Sequence, residues 1–369
     1  MKLTAQILLN PTKEQADLLF STMKTANAAC GFVSDMAWES RHFNKFGLRK
    51  LAYYTVRERF GLSAQLAIQQ IFKVANAYKL DKETKRTFRP LGSIAYDSRI
   101  LSYKTKNKTV SIWTMEGRQT IPYLVGQHHA AILAYQQGES DLVYKKGRFY
   151  LLATCEVPEE DSEPFVDVLG VDLGIVNIAT DSDGDTFSGS RVEQVRQWYS
   201  GRKQVLQSVG TKSAKRRLKQ LSGREAKFRS DTNHRISKKL VSKAKDTNRA
   251  IVLEDLSGIR KRTTVKKAQR AKHHSWSFHQ LRSFVHYKAQ RNGVQVMLVN
   301  PAYTSRTCSV CSHCEKANRK SQSEFLCKSC GHNVNADLNA AFNIRRLGLS
   351  SYQPMVSTGI FGQGQAPRL

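Results

Sequence analysis

The sequence predicts an α+β, multidomain fold: a small N-terminal β barrel interrupted by helices, then a mixed sheet of the RNase H type with a zinc ribbon set into it. Three observations predict it. The apolar period changes from helical to alternating within the first 160 residues. PEEDSEP, Pro158 to Pro164, is acidic and proline-flanked, which marks a boundary. Five of the seven cysteines lie between Cys308 and Cys330, the clustering of a metal site and not of a disulfide framework. At 369 residues the chain has room for two or three domains with a sizeable core.

Residues 1–10 alternate loosely and are expected as a strand. Thr12 and Gln15 make a capping box, and Leu18, Leu19, Met23, Ala26, Phe32, Val33 and Met36 follow at helical spacing. A second helical stretch runs from about Leu48 to Tyr78, with a break near Gly61. From Phe88 to Val157 the period is two. Ile94–Tyr96, Ser102–Tyr103, Val110–Trp113, Thr120–Leu124 and Phe149–Cys155 are short strands, with Asn107, Gly117 and Gly147 between them. This half reads as a barrel or sandwich with a helical insertion.

After the linker, VDVLGVDLG is a continuous apolar run ending in Asp172, which suits a strand buried on both faces. NIATDSDGDTFSG is a hairpin turning at Asp183-Gly184. Residues 191–249 are helical and basic, with 18 Lys/Arg against four acids. AIVLEDL is another buried strand. Trp276, Ser277, Gln280 and Leu281 form a capping box and staple opening a helix that ends at Gly293. VQVMLVNP is a strand, followed by the cysteine cluster and a short helix, ADLNAAFNIRR. Adjacent antiparallel strands followed by strands joined through helical crossovers make the RNase H-type mixture.

Lysine and arginine number 59 and aspartate and glutamate 30, a net charge of +29. A polyanion would offset that self-repulsion, and nucleic acid is the expected one. A membrane partner is not expected, because there is no lipidation motif and no apolar run of roughly 18 residues or more. The N-terminus has no signal-peptide h-region, so the expected location is cytoplasmic.

Asp172 ends one apolar strand, Glu254 stands near the end of another, and Asp337 opens a helix. Strand ends of an open α/β sheet are where ligands bind. Three carboxylates gathered there repel one another unless cations intervene, and hard oxygen ligands select Mg²⁺ or Mn²⁺. Two such ions, ~4 Å apart, can clamp both oxygens of an in-line phosphodiester displacement. Each acid alone could equally be a turn or cap residue. Asp255 should point to the other side of its strand from Glu254. Cys308-x₂-Cys311 and Cys327-x₂-Cys330 match a paired-knuckle zinc pattern for one structural Zn²⁺. Cys314, His313 and His332 are spare ligands, and Cys311-x₂-Cys314 is an alternative knuckle. Lys215, Arg216, Arg217 and Lys219 surround a narrow stripe of Leu218, Leu221 and Phe228, the pattern of a polyanion groove and not of a mixed-charge surface helix. A second basic run, Arg260 to His274, reads as a loop beside the site.

GVDLGIVNIAT, IVLEDLSGIR, NPAYTSRTCSVC, CKSC and NADLNAAFNI, in this order and spacing, resemble the TnpB/OrfB proteins of bacterial insertion sequences and the compact type V CRISPR effectors related to them. The resemblance is specific over 165–346 and looser over 1–160. It implies a wedge-like barrel over 1–12 and 86–160 and a recognition insertion over 13–85. It also implies a RuvC-like nuclease domain over 165–300 and 334–350, a zinc ribbon over 301–333 and a tail over 351–369. The implied activity is RNA-guided DNA endonuclease, with Asp172, Glu254 and Asp337 as catalytic acids. The implied partners are a guide RNA from the transposon end and double-stranded target DNA beside a short flanking motif, in a bacterial cytoplasm at the nucleoid. The sequence departs from the commoner pattern at Ser312, where glycine is usual, and at Cys314. Within the insertion, Gln65, Gln69, Gln70 and Lys73 offer a partly polar helix face for base or phosphate contacts, with Leu66, Ile71, Val74 and Ala75 packing the other side. A nuclease-inactive guided repressor, an accessory transposase and a guide-free nuclease are the rival readings. A repressor would be expected to lose one of the acids, and this sequence keeps all three.

Overall fold

The computed structural model describes residues 1–162, 164–256 and 278–351. The chain divides into two compact units, Met1–Pro158 and Glu159–Leu369. Trp276, Ser277, the basic run from Arg260 to His274 and the tail from 352 lie outside the described residues.

In the first unit, β1 (Lys2–Leu9) leads into α1 (Lys13–Ser40), α2 (Lys45–Phe60) and α3 (Ala64–Leu80). The Thr12–Gln15 capping box starts α1 and Gly61, at φ 61°, ends α2. Then come β2 (Ile94–Tyr96), β3 (Leu101–Lys104), β4 (Thr109–Thr114), β5 (Gly117–Leu124), α4 (Gln127–Leu133), β6 (Gln136–Lys145) and β7 (Arg148–Glu156). The seven strands form one antiparallel sheet in the order β2-β6-β7-β1-β5-β4-β3. It curls until its ends approach. The Tyr103 hydroxyl on β3 donates to Ser140 Oγ on β6 at 3.0 Å, and the Tyr96 hydroxyl on β2 donates to the Trp113 carbonyl on β4 at 3.1 Å. The expected barrel is thus a nearly closed sheet, sharing one core with the helices: Ile7, Leu151 and Ile112 pack in the same cluster as Met23, Leu66 and Ile71.

β6 and α4 escaped the alternating pattern. Gly138 sits at φ 85° and the pairing with β7 shifts between Gln136 and Ser140, so alternation along β6 is broken at its start.

In the second unit, β8 (Asp167–Asp172), β9 (Asn177–Asp181) and β10 (Thr186–Ser188) run antiparallel in succession. Two basic helices follow, α5 (Ser190–Val209) and α6 (Lys212–Asp246), broken at Gly210 with φ 65°. Next are β11 (Arg249–Glu254), α7 (Phe278–Arg291) and β12 (Val296–Val299), the two strands parallel to β8 and to each other. β13 (Glu324–Leu326), β14 (Asn333–Asn335) and α8 (Ala336–Ser351) complete the unit. The sheet order β10-β9-β8-β11-β12 carries the predicted mixture of directions. Lys243 of α6 ties down the hairpin, its ammonium meeting Asp181 at 2.7 Å, Asp183 at 2.9 Å and Asp185 at 2.7 Å.

Both faces of the sheet are covered, so β8 and β11 are apolar between their charged end residues. Leu169, Val171, Ile251 and Leu253 pack with Ile236 and Leu240 of α6 and Leu281 and Val285 of α7. Val168, Ala250 and Val252 face the opposite way, with Ile344 of α8. Helix and sheet meet there without a spacer. A Cβ on Gly170 would stand 2.3 Å from the Ala341 carbonyl oxygen, and one on Gly348 would stand 2.4 Å from a Val252 methyl.

Candidate active site

Strand alternation sends every second side chain to the same face. On β8 the series Val168, Gly170, Asp172 faces α8, and on β11 so does Ala250, Val252, Glu254. Val171 pairs with Leu253, so the two acids follow side by side at the carboxyl ends of parallel strands. Asp255 falls on the other face, where Arg282 of α7 meets it at 2.8 Å. Helix α8 places Asp337 in its first turn, where the Asn335 side chain accepts from the Asp337 and Leu338 backbone N–H groups at 2.9 and 3.2 Å.

The three acids interact. Asp172 is half-buried as a residue, but its carboxyl group lies inside. Burial first, then the carboxylates of Glu254 and Asp337, push its pKa up to about 8, against the opposing pull of Arg319. Burial also raises Glu254, while the Thr304 hydroxyl that donates to its Oε1 favours the charged form. Asp337 is buried, accepts from the Asn177 amide at 2.9 Å and meets the Arg319 guanidinium at 3.4 Å. Carboxylates crowded in this way suit hard divalent cations, which would relieve the repulsion and the lost hydration together. Asn177, Thr304 and Arg319 were not singled out from the sequence. Asn177 and Thr304 sit inside the motif stretches GVDLGIVNIAT and NPAYTSRTCSVC, whereas nothing marked Arg319.

The Sγ atoms of Cys308, Cys311, Cys327 and Cys330 all lie within 4.8 Å of one another. Cys308 is 3.7 Å from Cys330 and Cys311 is 3.5 Å from Cys327. A zinc tetrahedron with ~2.3 Å bonds has sulfur edges of about 3.8 Å, so the spacing fits the ion. Each pair sits on a matching turn: Ser312 N–H donates to the Cys308 carbonyl at 3.0 Å and Gly331 N–H to the Cys327 carbonyl at 3.1 Å. Ser312 adopts φ 64° where the second turn has Gly331 at 73°, so serine occupies a position that favours glycine. Cys314 is exposed and lies outside the four.

Lys215, Arg216, Arg217 and Lys219 are all exposed on α6. The α3 residues are differently placed. The Gln65 side chain donates to Asp97, and Gln69 is buried and donates to Glu139 at 3.0 Å. Gln70 is fully buried between Cys30 and the Leu66 carbonyl. Lys73 donates to Asn27 Oδ1 at 2.7 Å and the Ser93 carbonyl at 2.6 Å. The expectation of an open reading face on α3 is therefore corrected: α3 packs against α1, α2 and β2, and its polar side chains satisfy partners inside the unit.

Two family profiles match the chain: "Probable transposase" over residues 152–259 and "Cas12f1-like, TNB domain" over 278–344. A "TnpB-like protein" of Methanocaldococcus jannaschii is 31% identical over 192 residues, covering 49% of this chain and 68% of that protein. The "Putative RNA-guided DNA endonuclease InsQ" of Escherichia coli is 31% identical over 298 residues, covering 75% of this chain and 65% of that protein. The "CRISPR-associated endodeoxyribonuclease Cas12f1" of Syntrophomonas palmitatica is 30% identical over 57% of this chain, which spans only 51% of that relative's length. Among solved structures, a Cas12f1-sgRNA-target DNA complex matches 90% of this chain and 83% of its own at TM-score 0.62 and 15% identity. The mini-RNA-guided endonuclease CRISPR-Cas_phi3 matches 95% and 92% at TM-score 0.59 and 12% identity, a likeness of fold.

Proposed function

This chain belongs to the TnpB/OrfB family, and from that premise we propose that it is a transposon-encoded, RNA-guided DNA endonuclease that cuts target DNA beside a short flanking motif. One observation carries the reading: Asp172, Glu254 and Asp337, far apart in sequence, converge at one buried place where two parallel strands end and a helix begins. Two Mg²⁺ or Mn²⁺ ions held by these carboxylates would stabilise the attacking and leaving oxygens of a phosphodiester. The chain's own groups prepare that arrangement. Thr304 fixes Glu254, Asn177 fixes Asp337, and Arg319 brings positive charge to the acids.

The curled sheet and α1–α3 correspond in this reading to a wedge domain over 1–12 and 86–160 and a recognition insertion over 13–85. The mixed sheet with α8 is the RuvC-like domain over 165–300 and 334–350, and 301–333 is a zinc ribbon holding one structural ion. Guide RNA and duplex DNA are the partners, which suits the net charge of +29. Sequencing the RNA that copurifies with the protein tests the guided mechanism. Supplied with that RNA and a matching target, the protein should cut in Mg²⁺ or Mn²⁺. Asp172→Ala should abolish cutting and keep guided binding, because the carboxylate acts on the transition state. Full cutting in EDTA, or no bound RNA, would overturn the reading.

A further inference from the structure

The turn between β12 and Cys308 joins groups that the sequence keeps apart. Tyr303 has φ 66°, a left-handed conformation uncommon for a bulky residue. Its carbonyl accepts from the backbone N–H groups of Arg306 at 2.9 Å and Thr307 at 3.0 Å, and from the Thr307 hydroxyl at 2.9 Å. Such strain persists where the surroundings over-determine it. Here α8 does so. The Asn343 carboxamide donates to the Thr304 carbonyl at 2.9 Å and the Thr307 carbonyl at 2.7 Å. Asn339, one turn earlier on the same helix face, donates to the Thr307 carbonyl at 2.8 Å and accepts from Ser309 N–H at 3.0 Å. Both asparagines are buried.

On its other side the turn presents the Thr304 hydroxyl. It has one proton and two acceptors in reach, Glu254 Oε1 at 2.5 Å and the Pro301 carbonyl at 3.2 Å, and the nearer carboxyl oxygen takes it. One turn is therefore fastened to Glu254 through Thr304 and, through Asn343, to the helix that carries Asp337. It also leads directly into the first cysteine of the zinc-spaced cluster.

We propose that Thr304 and Asn343 are positioning residues: a latch that sets the separation of Glu254 and Asp337 and couples it to the folded cysteine module. The latch rests on the nuclease reading for its purpose, and its test does not depend on that reading. Thr304→Val removes the hydroxyl and keeps the volume, Thr304→Ser keeps the hydroxyl, and Asn343→Asp removes the two donated hydrogen bonds. Mn²⁺ binding, followed by electron paramagnetic resonance without nucleic acid, is the readout, with zinc content and melting temperature as controls. Thr304→Val and Asn343→Asp should each weaken Mn²⁺ binding roughly 10–100-fold with zinc retained. Thr304→Ser should bind like the parent. The Thr304→Val, Asn343→Asp double variant should be no weaker than the weaker single one, because both act along one path. Unchanged Mn²⁺ binding in Thr304→Val, a Thr304→Ser protein as impaired as Thr304→Val, or additive losses in the double variant would overturn the latch. If Asn343→Asp fails to fold, the Thr304 pair decides alone. A parent protein that binds Mn²⁺ yet cuts no DNA would overturn the nuclease reading and leave the latch standing.

Discussion

Asp172 shows what crowding among carboxylates does to a single residue. Its carboxyl group, which ionises with a pKa of about 3.9 in an unfolded chain, holds its proton to about pH 8 in the fold. A folded-state pKa raised in this way contributes stability below pH 4 that is lost as pH rises toward 8. Asp172→Asn should therefore raise the melting temperature of metal-free protein at pH 8, by roughly 4 °C or more, and have little effect at pH 4. Mn²⁺ should stabilise the parent more at pH 8 than at pH 5. Calorimetry in chelator and in Mn²⁺ checks both, and a variant no more stable than the parent at pH 8 would contradict the crowding. The acids were legible because each closes or opens an element whose apolar run is plain in the sequence. Gln69 and Gln70 were misread for a related reason. A glutamine counts as polar and so as surface, yet α3 is packed on more than one side and its amides bond inward. Thr304 and Asn343 lie inside the motif stretches NPAYTSRTCSVC and NADLNAAFNI, but their partners were not legible, since the contacts join a turn to a strand end and a helix distant in sequence.

At the scale of elements, the cysteine turns were legible from spacing, and the choice of Cys308 and Cys311 over Cys314 rested on their place just after a strand. Cys311-x₂-Cys314 has the same spacing as the pair that the fold uses. Geometry decides for Cys308, whose Sγ faces Cys330 while Cys314 stays outside. The protein should carry about one zinc per chain, which Cys327→Ser should remove and Cys314→Ser should retain. Metal analysis of the purified variants reads this out, and zinc lost from Cys314→Ser but kept in Cys308→Ser would reverse the assignment. Strands β8 and β11 were plain because burial on both faces makes them apolar between their charged ends. β6 was hidden by Gly138, whose irregular pairing breaks the alternation on which a strand is recognised.

For the whole molecule, the excess of positive charge and its concentration over residues 191–249 were the most legible properties, and the fold adds which of those side chains are exposed. Lys215, Arg216, Arg217 and Lys219 stand exposed on α6. Replacing all four with alanine should weaken nucleic-acid binding at every sequence alike. If each meets a phosphate, the plot of log affinity against log salt should become shallower by about 3–4. An unchanged salt slope would place the phosphate contacts elsewhere. Neither glycine at the sheet surface was read from the sequence as a meeting point, because close approach is a property of two segments and not of one. At Gly170 the backbone of α8 rests on the backbone of β8. The approach of β8 to α8 is therefore gauged by main-chain atoms at Gly170, where any side chain would force the two apart. Residues on the opposite face, such as Leu169 and Leu281, can exchange over evolutionary time and repack without moving that gauge. A spacing defined in this way can outlast most of the surrounding sequence.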